Sequence, residues 1–417
     1  MKRTTILLAA STVALILASG SAMAAPRCGL NSGEKATGEP IRVGAVVGQT
    51  GPDDFSSSAD AARAYFNCVN ANGGIHGRPI EYLVEDDQWN PEVASQVTTK
   101  LVKDKGVVAL VANGSFVEMG VNAKLYAEED VMAMAAACAV AECFESKNIV
   151  STNEGPLPSS VGAAQWAVAN LASKNVVCIG LTIPSVGPYS CGWTEKYMQS
   201  KGLAGSSLLL DPGAADMNAS VLETVASGAD TVLVNLPSGM AAAYLKAVEE
   251  QNLRDNFKWI SSTPLYDADV PAMLGAYWNG VMNVNIELTP IDGTGPDASN
   301  WRAIMDKYAR PEDPRDTFSQ SGYLSARFFT DALLKLDPAT IDRKSVSEAI
   351  RGIKNETSDL LCGPYYVGNG DRHMPNHANM MVQISGNGFK VVGGCADVDS
   401  AYLDPIRAAE KTLGIAN

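Results

Sequence analysis

Residues 41–93 read IRVGAVVGQTGPDDFSSSADAARAYFNCVNANGGIHGRPIEYLVEDDQWNPEV, and the order of elements in this stretch decides the fold. Ile41–Val47 is a short, β-branched run typical of a buried strand, and a second strand is predicted at Ile80–Val84. The helix between them should end at Asn72-Gly73-Gly74, because glycine accepts the left-handed conformation that terminates helices. Asn90-Pro91 then offers an N-cap followed by proline at the first position of a second helix. Two strand–helix units in so short a span predict a doubly wound parallel sheet, an α/β fold.

The first 24 residues have the pattern of a secretory signal peptide. A basic pair, Lys2-Arg3, precedes the apolar residues 5–19, and the A-x-A cleavage pattern at residues 22–24 predicts a mature chain that starts at Ala25. A membrane anchor is the alternative, but the apolar run is short and no second long run follows it. Lipidation at Cys28 is disfavoured by the bulky arginine before it. The protein is therefore predicted to be exported.

Composition argues against several classes of function. The formal net charge is −14 and no block of basic residues occurs, so binding to nucleic acid or to an anionic membrane is not expected. The 417 residues, 46% of them hydrophobic, suffice for one large or two medium domains. The common catalytic motifs, such as G-x-S-x-G, the Walker loop and H-E-x-x-H, are missing. His373 and His377 have helical spacing, but Pro375 lies between them, so no metal or cofactor is expected.

Three short motifs in residues 41–93 carry a resemblance to a known family. They are G-x-x-x-x-x-T-G-P at Gly44–Pro52, N-x-x-G-G-I-x-G at Asn70–Gly77 and D-D-x-x-x-P at Asp86–Pro91. In this order, after an export signal, they resemble the type I periplasmic solute-binding proteins of ABC transporters, specifically the leucine/isoleucine/valine-binding family. The resemblance continues more weakly to about Gly393. It implies a periplasmic, non-enzymatic monomer that delivers a small molecule, without a cofactor, to an ABC transporter membrane permease.

The resemblance also implies two Rossmann-like doubly wound lobes joined by three crossover segments. Hinges are predicted near residues 151–159, 284–287 and 363, so that the lobes close over a ligand at the carboxyl ends of both sheets. The predicted organisation is a signal peptide at 1–24, a tail at 25–40, lobe 1 at 41–154 and 286–362, lobe 2 at 155–285 and 363–395, and a C-terminal extension at 396–417. Further strands are predicted at 107–112, 131–134, 176–181, 207–210, 231–235 and 258–261, and further helices at 219–226, 240–252, 321–336 and 405–413.

Eight cysteines in an exported chain indicate disulfides. Metal binding or a reactive thiol is the alternative, but no C-x-x-C motif occurs. The pairing is taken from the predicted topology, because cysteines that share a loop or flank one turn or hairpin should meet, which leaves the first cysteine for the first helix. The predicted pairs are Cys28–Cys68, Cys138–Cys143, Cys178–Cys191 and Cys362–Cys395.

Two turns of the first lobe are predicted to contact the ligand. Asn113-Gly114-Ser115 follows a strand and opens a helix, where free backbone N–H groups bind anions, and the resemblance implies that this turn holds a ligand carboxylate. Simple capping of the helix by asparagine or serine is the alternative. Residues 135–139 match a family turn that usually reads S-P-G-A-T but here read A-A-A-C-A. Backbone groups at Cys138 and Ala139 thus remain as contacts, while the family's threonine hydroxyl is lost.

Aromatic side chains are candidates for the walls of the site. Tyr189 matches a family tyrosine that packs on the ligand from the second lobe. Phe55 lies in the first strand–helix loop, where the family often presents an aromatic residue, and Phe116 is also on the loop side. For each of them, and for Trp89 and Trp193, packing in the core is the alternative.

Asn235 and Thr263, at the carboxyl ends of two second-lobe strands, are candidate contacts that bear on the chemistry of the ligand. Amino-acid binders of the family place an acid near the position of Thr263 to neutralise the ligand's ammonium, and a desolvated ammonium without a counter-charge is costly. Asp267 or Asp269 would substitute if the loop were offset. The expected ligand is therefore a carboxylate, an aromatic acid or an amino acid, with a carboxylate preferred over a zwitterion.

The sequence predicts a solute-binding protein that serves an ABC permease. A sensor of the same fold that binds a ligand and feeds a membrane receptor is the alternative, because the same cleft serves both roles. A secreted hydrolase whose site the motifs do not show is a third possibility.

Overall fold

The structure, a computed structural model, describes residues 26–415, so the predicted signal peptide lies outside the described residues. The first part of the chain builds a parallel sheet. In chain order its elements are β1 (Ile41–Val47), α1 (Ser57–Ala71), β2 (Ile80–Asp86), α2 (Pro91–Thr99), β3 (Ala109–Val111), β4 (Gly114–Ser115), α3 (Glu118–Glu128), β5 (Met132–Ala135), β6 (Ala137–Cys138) and β7 (Ile149–Ser151). The strands run in the order β2-β1-β3-β5-β7, and the short strands β4 and β6 continue the sheet beside the carboxyl end of β1.

The second lobe has its own sheet. Its elements are α4 (Pro156–Asn170), β8 (Asn175–Leu181), α5 (Gly187–Ser200), β9 (Ala204–Leu210), α6 (Met217–Ala226), β10 (Thr231–Val234), α7 (Ser238–Glu250), β11 (Lys258–Ser261), α8 (Val270–Leu274) and β12 (Asn283–Ile286). The chain then returns to the first lobe as α9 (Pro296–Tyr308), α10 (Thr317–Leu333) and α11 (Arg343–Arg351), and it ends with β13 (Ala378–Ser385), β14 (Gly388–Asp397) and α12 (Asp404–Leu413). The second sheet runs β9-β8-β10-β11-β12-β13-β14, with β13 and β14 antiparallel.

Both lobes bury large aromatic side chains. In the first lobe α1 packs closely on α10, and Gly322 makes this approach possible because a Cβ there would collide with the backbone carbonyl of Ser58. Large buried side chains of this lobe include Tyr65, Phe66, Tyr126, Phe144, Trp301, Tyr323, Phe328, Phe329 and Tyr365, and those of the second lobe include Tyr244, Trp259 and Trp278. Close packing makes each lobe a stiff body, so relative motion is confined to the connections between them.

The structure confirms the predicted α/β class and the order of elements in residues 41–93, although β2 extends two residues beyond the predicted Val84. β1 has the predicted bounds, α1 ends with Asn72 as its C-cap, and the side chain of Asn90 caps α2 by accepting from the N–H groups of Glu92 and Val93. These features depend on residues adjacent in the chain, which is why the sequence predicts them.

The helix α4, at the first crossover, was not predicted. Residues 156–159 were expected to belong to an irregular crossover, but they open α4. Pro156 and Pro158 lie in the first turn, where a backbone N–H has no intrahelical partner to lose, so they start the helix instead of breaking it. Leu157, Val161 and Ala164 are all buried, and a helix covered on most sides has no amphipathic period to detect. The first crossover is therefore residues 152–155.

The third crossover begins later than the boundary predicted at residue 363. Tyr365 still stacks on Phe328 of α10, with ring centroids 4.6 Å apart, and it exchanges backbone hydrogen bonds with Glu356. Val367 is also buried in the first-lobe core. The segment between Val367 and β13 is thus the last connection between the lobes.

All four predicted disulfides are present. The pairs are Cys28–Cys68, Cys138–Cys143, Cys178–Cys191 and Cys362–Cys395, with Cα atoms 6.0, 6.3, 5.4 and 5.6 Å apart, respectively. These separations lie within the usual range for disulfides. Cys362–Cys395 ties the end of the first-lobe segment to β14 of the second sheet, so it spans the third crossover.

The C-terminal extension packs across the third crossover. His377 contacts Asp397 and, on α12, Glu410, which also accepts a hydrogen bond from Tyr366.

Within residues 26–415 no helix combines the length and the hydrophobicity that a bilayer crossing requires.

Candidate ligand-binding cleft

A cavity lies between the lobes at the carboxyl edges of both sheets, and it encloses about 500 Å³ of space free of protein atoms, its mouth included. Its lining residues are Phe55, Phe116, Ala137, Cys138, Ala139, Asn153, Gly155, Pro156, Ser159, Leu181, Val186, Asn235, Leu236, Pro237, Thr263, Pro264, Glu287 and Phe318. Most of them come at or directly after the carboxyl ends of parallel strands, where α/β sheets bind ligands. Six predicted contacts therefore share one cavity: Phe55, Phe116, Cys138, Ala139, Asn235 and Thr263.

The first-lobe wall is aromatic. Phe55 lies 4.9 Å from Phe116 and 5.4 Å from Phe318, measured between ring centroids. Trp89 stacks on the outer side of Phe116 at 4.7 Å, and its indole N–H donates to the carbonyl of Asp53. Trp89 thus supports the wall without lining the cavity, which leaves three phenylalanine rings to face an apolar or ring-shaped molecule.

The loop between β6 and β7 forms the next part of the lining, and it is braced twice. The disulfide Cys138–Cys143 closes the loop. The amide of Asn153 also brackets Cys138, because its Oδ1 accepts from the backbone N–H at 3.0 Å and its Nδ2 donates to the backbone carbonyl at 3.1 Å. Ala139 follows at the cavity surface. This part of the wall is consequently preorganised before any ligand binds.

The second-lobe side presents hydroxyl and amide groups. The hydroxyls of Ser159 and Thr263 lie 2.9 Å apart, and Ser159 Oγ donates to Oδ1 of Asn285 at 3.0 Å. The Asn235 amide donates to Ser190 Oγ at 2.6 Å. The Nδ2 group of Asn285 is buried and has no hydrogen-bond partner among the described residues. A polar ligand group at this end would find both donors and acceptors.

The acidic residue that lines the cavity is Glu287, directly after β12. It is 2% exposed, its Oε2 accepts from the N–H of Glu154 at 3.1 Å, and its Oε1 has no partner within residues 26–415. Burial raises the pKa of Glu287 to about 7. Glu154 is buried beside it, and burial followed by the charge of Glu287 raises the pKa of Glu154 well above its ordinary value. Two buried carboxyls thus meet where the lobes join, and the charge of His377 offsets part of the cost for Glu154.

The predicted anion turn lies outside the cavity lining. Ser115 Oγ accepts from the N–H groups of Val117 and Glu118 at 3.0 and 2.9 Å and donates to the carboxylate of Asp87. Ser115 therefore caps the N-terminus of α3, and its hydroxyl also contacts the carboxylate of Asp87. This arrangement corresponds to the alternative interpretation of the turn, simple capping of the helix. Asn113 donates to Glu118 at 3.3 Å. Gly114 pairs in β4 beneath the backbone of Phe55.

Tyr189 also lies outside the cavity lining. Its half-buried ring meets the edge of Tyr402 at 5.7 Å, and Trp193 meets the same ring at 5.3 Å. Both aromatic residues of α5 thus pack against the C-terminal extension. The resemblance did not cover this extension, so the sequence offered no partner for them other than a ligand or the core.

Sequence reasoning missed Phe318, Asn153 and Glu287 as lining residues. Phe318 enters from the start of α10, an element whose start was predicted four residues later. Asn153 and Glu287 were placed in hinges, without a role in the site. A charged residue directly after a buried strand was the available signal for Glu287, because strand ends of this fold meet at the cleft.

The lobes touch in this structure at two separate places. Ser238 Oγ donates to Asp53 across the cleft at 3.3 Å. At the second place, the N–H of Ala141 in the first lobe donates to the carbonyl of Ser185 in the second at 3.0 Å, and Ser185 Oγ donates to Glu142 at 3.0 Å. The conformation is therefore a closed one, in which a bound molecule would be covered by both lobes.

Two doubly wound lobes, three connections and an enclosed cavity at the shared carboxyl edge define a two-lobed ligand-binding protein. Residues 40–389 match the family model described as periplasmic binding protein. The chain belongs to this family, as its sequence motifs indicated. Its members are binding proteins that take small molecules. Comparison with curated protein sequences gave no significant match.

Solved structures of similar fold come from several bacteria. A fatty acid ABC transporter substrate-binding protein from Thermomonospora curvata has a TM-score of 0.77 and 19% identity, with 88% of this chain and 95% of that chain covered. A solute-binding protein from R. palustris in complex with 4-hydroxybenzoate has a TM-score of 0.75 and 18% identity, covering 88% and 100%. A leucine-binding protein from Thermotoga maritima has a TM-score of 0.71 and 13% identity, with 86% of this chain and 99% of that chain covered. The TM-scores establish the shared fold, and at such low sequence identity the comparison does not indicate the ligand.

Proposed function

We propose that the protein captures a small organic molecule in the cleft and delivers it to the membrane permease of an ABC transporter. The observation that supports this function is the cavity itself, which is closed by both lobes and lined by three phenylalanine rings and a few polar groups. Such a mixed lining is typical of small-molecule sites. Membership of the periplasmic binding protein family supports the periplasmic location and the partnership with a permease.

The proposed role is binding without chemistry. The Ser159 hydroxyl donates to an asparagine oxygen, Oδ1 of Asn285. Among the described lining residues there is no histidine, and the two hydroxyls of Ser159 and Thr263 face each other. A nucleophile would need an adjacent base to be activated. The site is therefore better suited to holding a molecule than to cleaving it.

Binding would act by stabilising the closed state. A ligand in the cavity contacts both lobes only when they are closed, so its binding free energy shifts the population toward that form. The crossovers at residues 152–155 and 287–295 and the segment after Val367 are the proposed hinges, because the chain passes through them between the two sheets. The permease would then distinguish the closed, loaded protein from the open one.

The sequence prediction of a carboxylate, an aromatic acid or an amino acid defines the first ligand screen. The similar structures are named for fatty acids, 4-hydroxybenzoate and leucine, so the screen spans fatty acids, hydroxybenzoates, amino acids, short carboxylates and amines. Thermal-shift measurements on the mature protein should identify a stabilising class. A ligand at 100 times its Kd should raise the free energy of unfolding by about 2.7 kcal/mol.

Two variants connect binding to the cleft. Ala139→Trp places a large side chain in the cavity and should abolish the thermal shift, whereas Ala214→Trp, in an exposed loop of the second lobe, should leave it unchanged. Small-angle scattering of the wild type should show a smaller radius of gyration with ligand. If no class shifts the melting temperature, or if the ligand is converted to a product, the proposed function is refuted.

Delivery to a permease is tested in cells. A strain without the protein should lose uptake of the identified ligand, and wild type but not Ala139→Trp should restore it. Unchanged uptake together with a lost transcriptional or behavioural response would favour the sensor over the carrier.

A further inference from the structure

The cavity and its rim hold an excess of carboxyl groups, and this excess points to the charge of the ligand. Glu287 lines the cavity and Glu154 lies directly beside it. Three more acids lie two or three positions from lining residues in the chain: Asp53 precedes Phe55, Asp316 precedes Phe318 and Asp267 follows Pro264. Among the described lining residues there is no Lys, Arg or His. The ionisable surroundings of the cleft are therefore of one sign.

The hydrogen-bond partners of these five carboxyls are all neutral. They include Ser238 and the N–H of Asp54 for Asp53, the N–H of Asp269 for Asp267, Ser57 and the N–H of Ser319 for Asp316, the N–H of Glu154 for Glu287, and Asn379 for Glu154. A buried carboxylate without a counter-charge is costly, so each group resists ionisation in the ligand-free protein. Burial, for example, raises the pKa of Asp316 to about 6, and the charge of Asp267 adds to that effect.

One carboxyl oxygen is available for a ligand in particular. Oε1 of Glu287 is buried and has no hydrogen-bond partner within residues 26–415, and the residue lines the same cavity as Thr263. Buried polar atoms of native proteins are normally satisfied, so an orphaned oxygen in a binding cavity indicates a missing donor. Amino-acid binders of the family place an acid near the position of Thr263, and in this chain Glu287, directly after β12, supplies a carboxyl to the same cavity instead.

The predicted anion turn, which lies outside the cavity lining, is itself unsuited to an anion. The hydroxyl of Ser115 already contacts Asp87, and Glu118 is buried behind the same turn. Burial raises the pKa of Asp87 to about 6 and that of Glu118 to about 7, so both would be pushed further from ionisation by a nearby ligand carboxylate. The phenylalanine wall, in contrast, attracts cations through the faces of its rings as well as apolar groups.

We infer that the cleft recognises an organic cation, a protonated amine on an apolar or ring-shaped body, and that Glu287 is the residue that binds the amine. This inference rests on the proposed function, because it assigns the ligand of the same cleft. The amine would donate to the free Oε1 of Glu287, and the three phenylalanine rings would cover the body. The inference departs from the preference for a carboxylate drawn from sequence, and one experiment compares the two.

The experiment uses probes that share a body and differ in the head group. Calorimetry on the mature protein compares 2-phenylethylamine, 2-phenylethanol, 3-phenylpropanoate and phenylalanine, and a second series built on the isoamyl group. We expect an amine to bind most tightly in at least one series. Glu287→Gln keeps the size of the side chain but removes its charge. It should raise the Kd of that amine by roughly tenfold to a hundredfold, because it removes a charge-assisted hydrogen bond.

Glu118→Gln is the matched control. Glu118 is also a buried glutamate whose pKa burial raises to about 7, but it does not line the cavity, so amine binding should not change. Tighter binding of an acid or alcohol, or amine binding unaffected by Glu287→Gln, would overturn the inference while the proposed function stands. Binding of none of the probes, and of nothing in the broader screen, would count against both.

A measurement on the wild type keeps the test independent of how the variants fold. Near pH 7 a carboxyl with a pKa of about 7 is half protonated, and contact with a cation favours its ionised form. Amine binding should therefore release about half a proton from Glu287, visible as a buffer-dependent binding enthalpy. Glu154 on the neighbouring crossover and His377, whose charge acts on Glu154, are the other titratable groups facing this pair. No proton release, or proton uptake, would contradict a role for Glu287.

Discussion

The contact of His377 with two carboxylates should make the stability of this protein depend on pH in a defined way. Its Nδ1 lies 2.7 Å from Asp397 Oδ1 and its Nε2 lies 2.8 Å from Glu410 Oε1, so both ring nitrogens donate and the imidazole is cationic. Desolvation by burial lowers the pKa of His377, but the hydrogen bonds to Asp397 and Glu410 outweigh it and raise the pKa to about 9. We expect His377→Gln to remove this contribution.

The magnitude follows from the rise of the pKa from its ordinary 6.5 to about 9. At 1.36 kcal/mol per pKa unit, the charged imidazole contributes roughly 3 kcal/mol to folding. Because the folded-state pKa is the higher one, this stabilisation is complete below pH 6.5 and is lost as the pH rises through 9. The side chain is 14% exposed, so solvent screening reduces the contribution little.

Urea denaturation of wild type and His377→Gln at pH 6 and pH 10 measures the effect. We expect the variant to lose roughly 3 kcal/mol at pH 6 and much less at pH 10. His76→Gln is the control, since His76 is exposed on a surface turn, and its effect should stay within about 0.5 kcal/mol at both pH values. An equal loss at pH 6 and pH 10, or a loss that grows with pH, would refute the ion-pair reasoning.

Two further predictions concern the first and third crossovers. Gly155→Ala should destabilise the protein by roughly 1–3 kcal/mol in thermal unfolding, because Gly155 has φ of +80° and a Cβ would collide with Phe144. Gly192→Ala, in an open position of α5, is the control and should be neutral or stabilising, so equal effects of the two variants would contradict this account. Replacing Cys362 and Cys395 by serine should cost roughly 2–5 kcal/mol of stability, and a double variant as stable as the wild type would show that this disulfide does not constrain the crossover.

Much of the fold could be predicted from short stretches of sequence. β1, the end of α1 and the Asn90 cap of α2 were predicted with their correct positions, because each depends on neighbours in the chain. The four disulfides followed once the order of strands and helices was known. The helix α4 was missed, because its signals are a buried, non-periodic surface and prolines whose effect depends on their place in the first turn.

The candidate site was only partly accessible to the same reasoning. Phe55, Phe116 and Thr263 line the cavity as expected, since strand ends of a parallel sheet share one edge. Ser115 was expected to face a ligand, but Asp87, 28 residues earlier in the chain, already contacts its hydroxyl. Tyr189 packs against Tyr402 of the C-terminal extension, a contact that no local pattern announces.

By itself, then, the sequence determined the sheet type, the order of elements and the family, because these properties repeat over many residues and survive the uncertainty of any single one. Only the tertiary structure decided which polar atoms are satisfied. Among the described residues, Oε1 of Glu287 has no hydrogen-bond partner, whereas the Ser115 hydroxyl has three, and that difference depends on single partners brought from distant parts of the chain. Because the binding chemistry of a cleft depends on such individual atoms, it emerges only after folding has placed them.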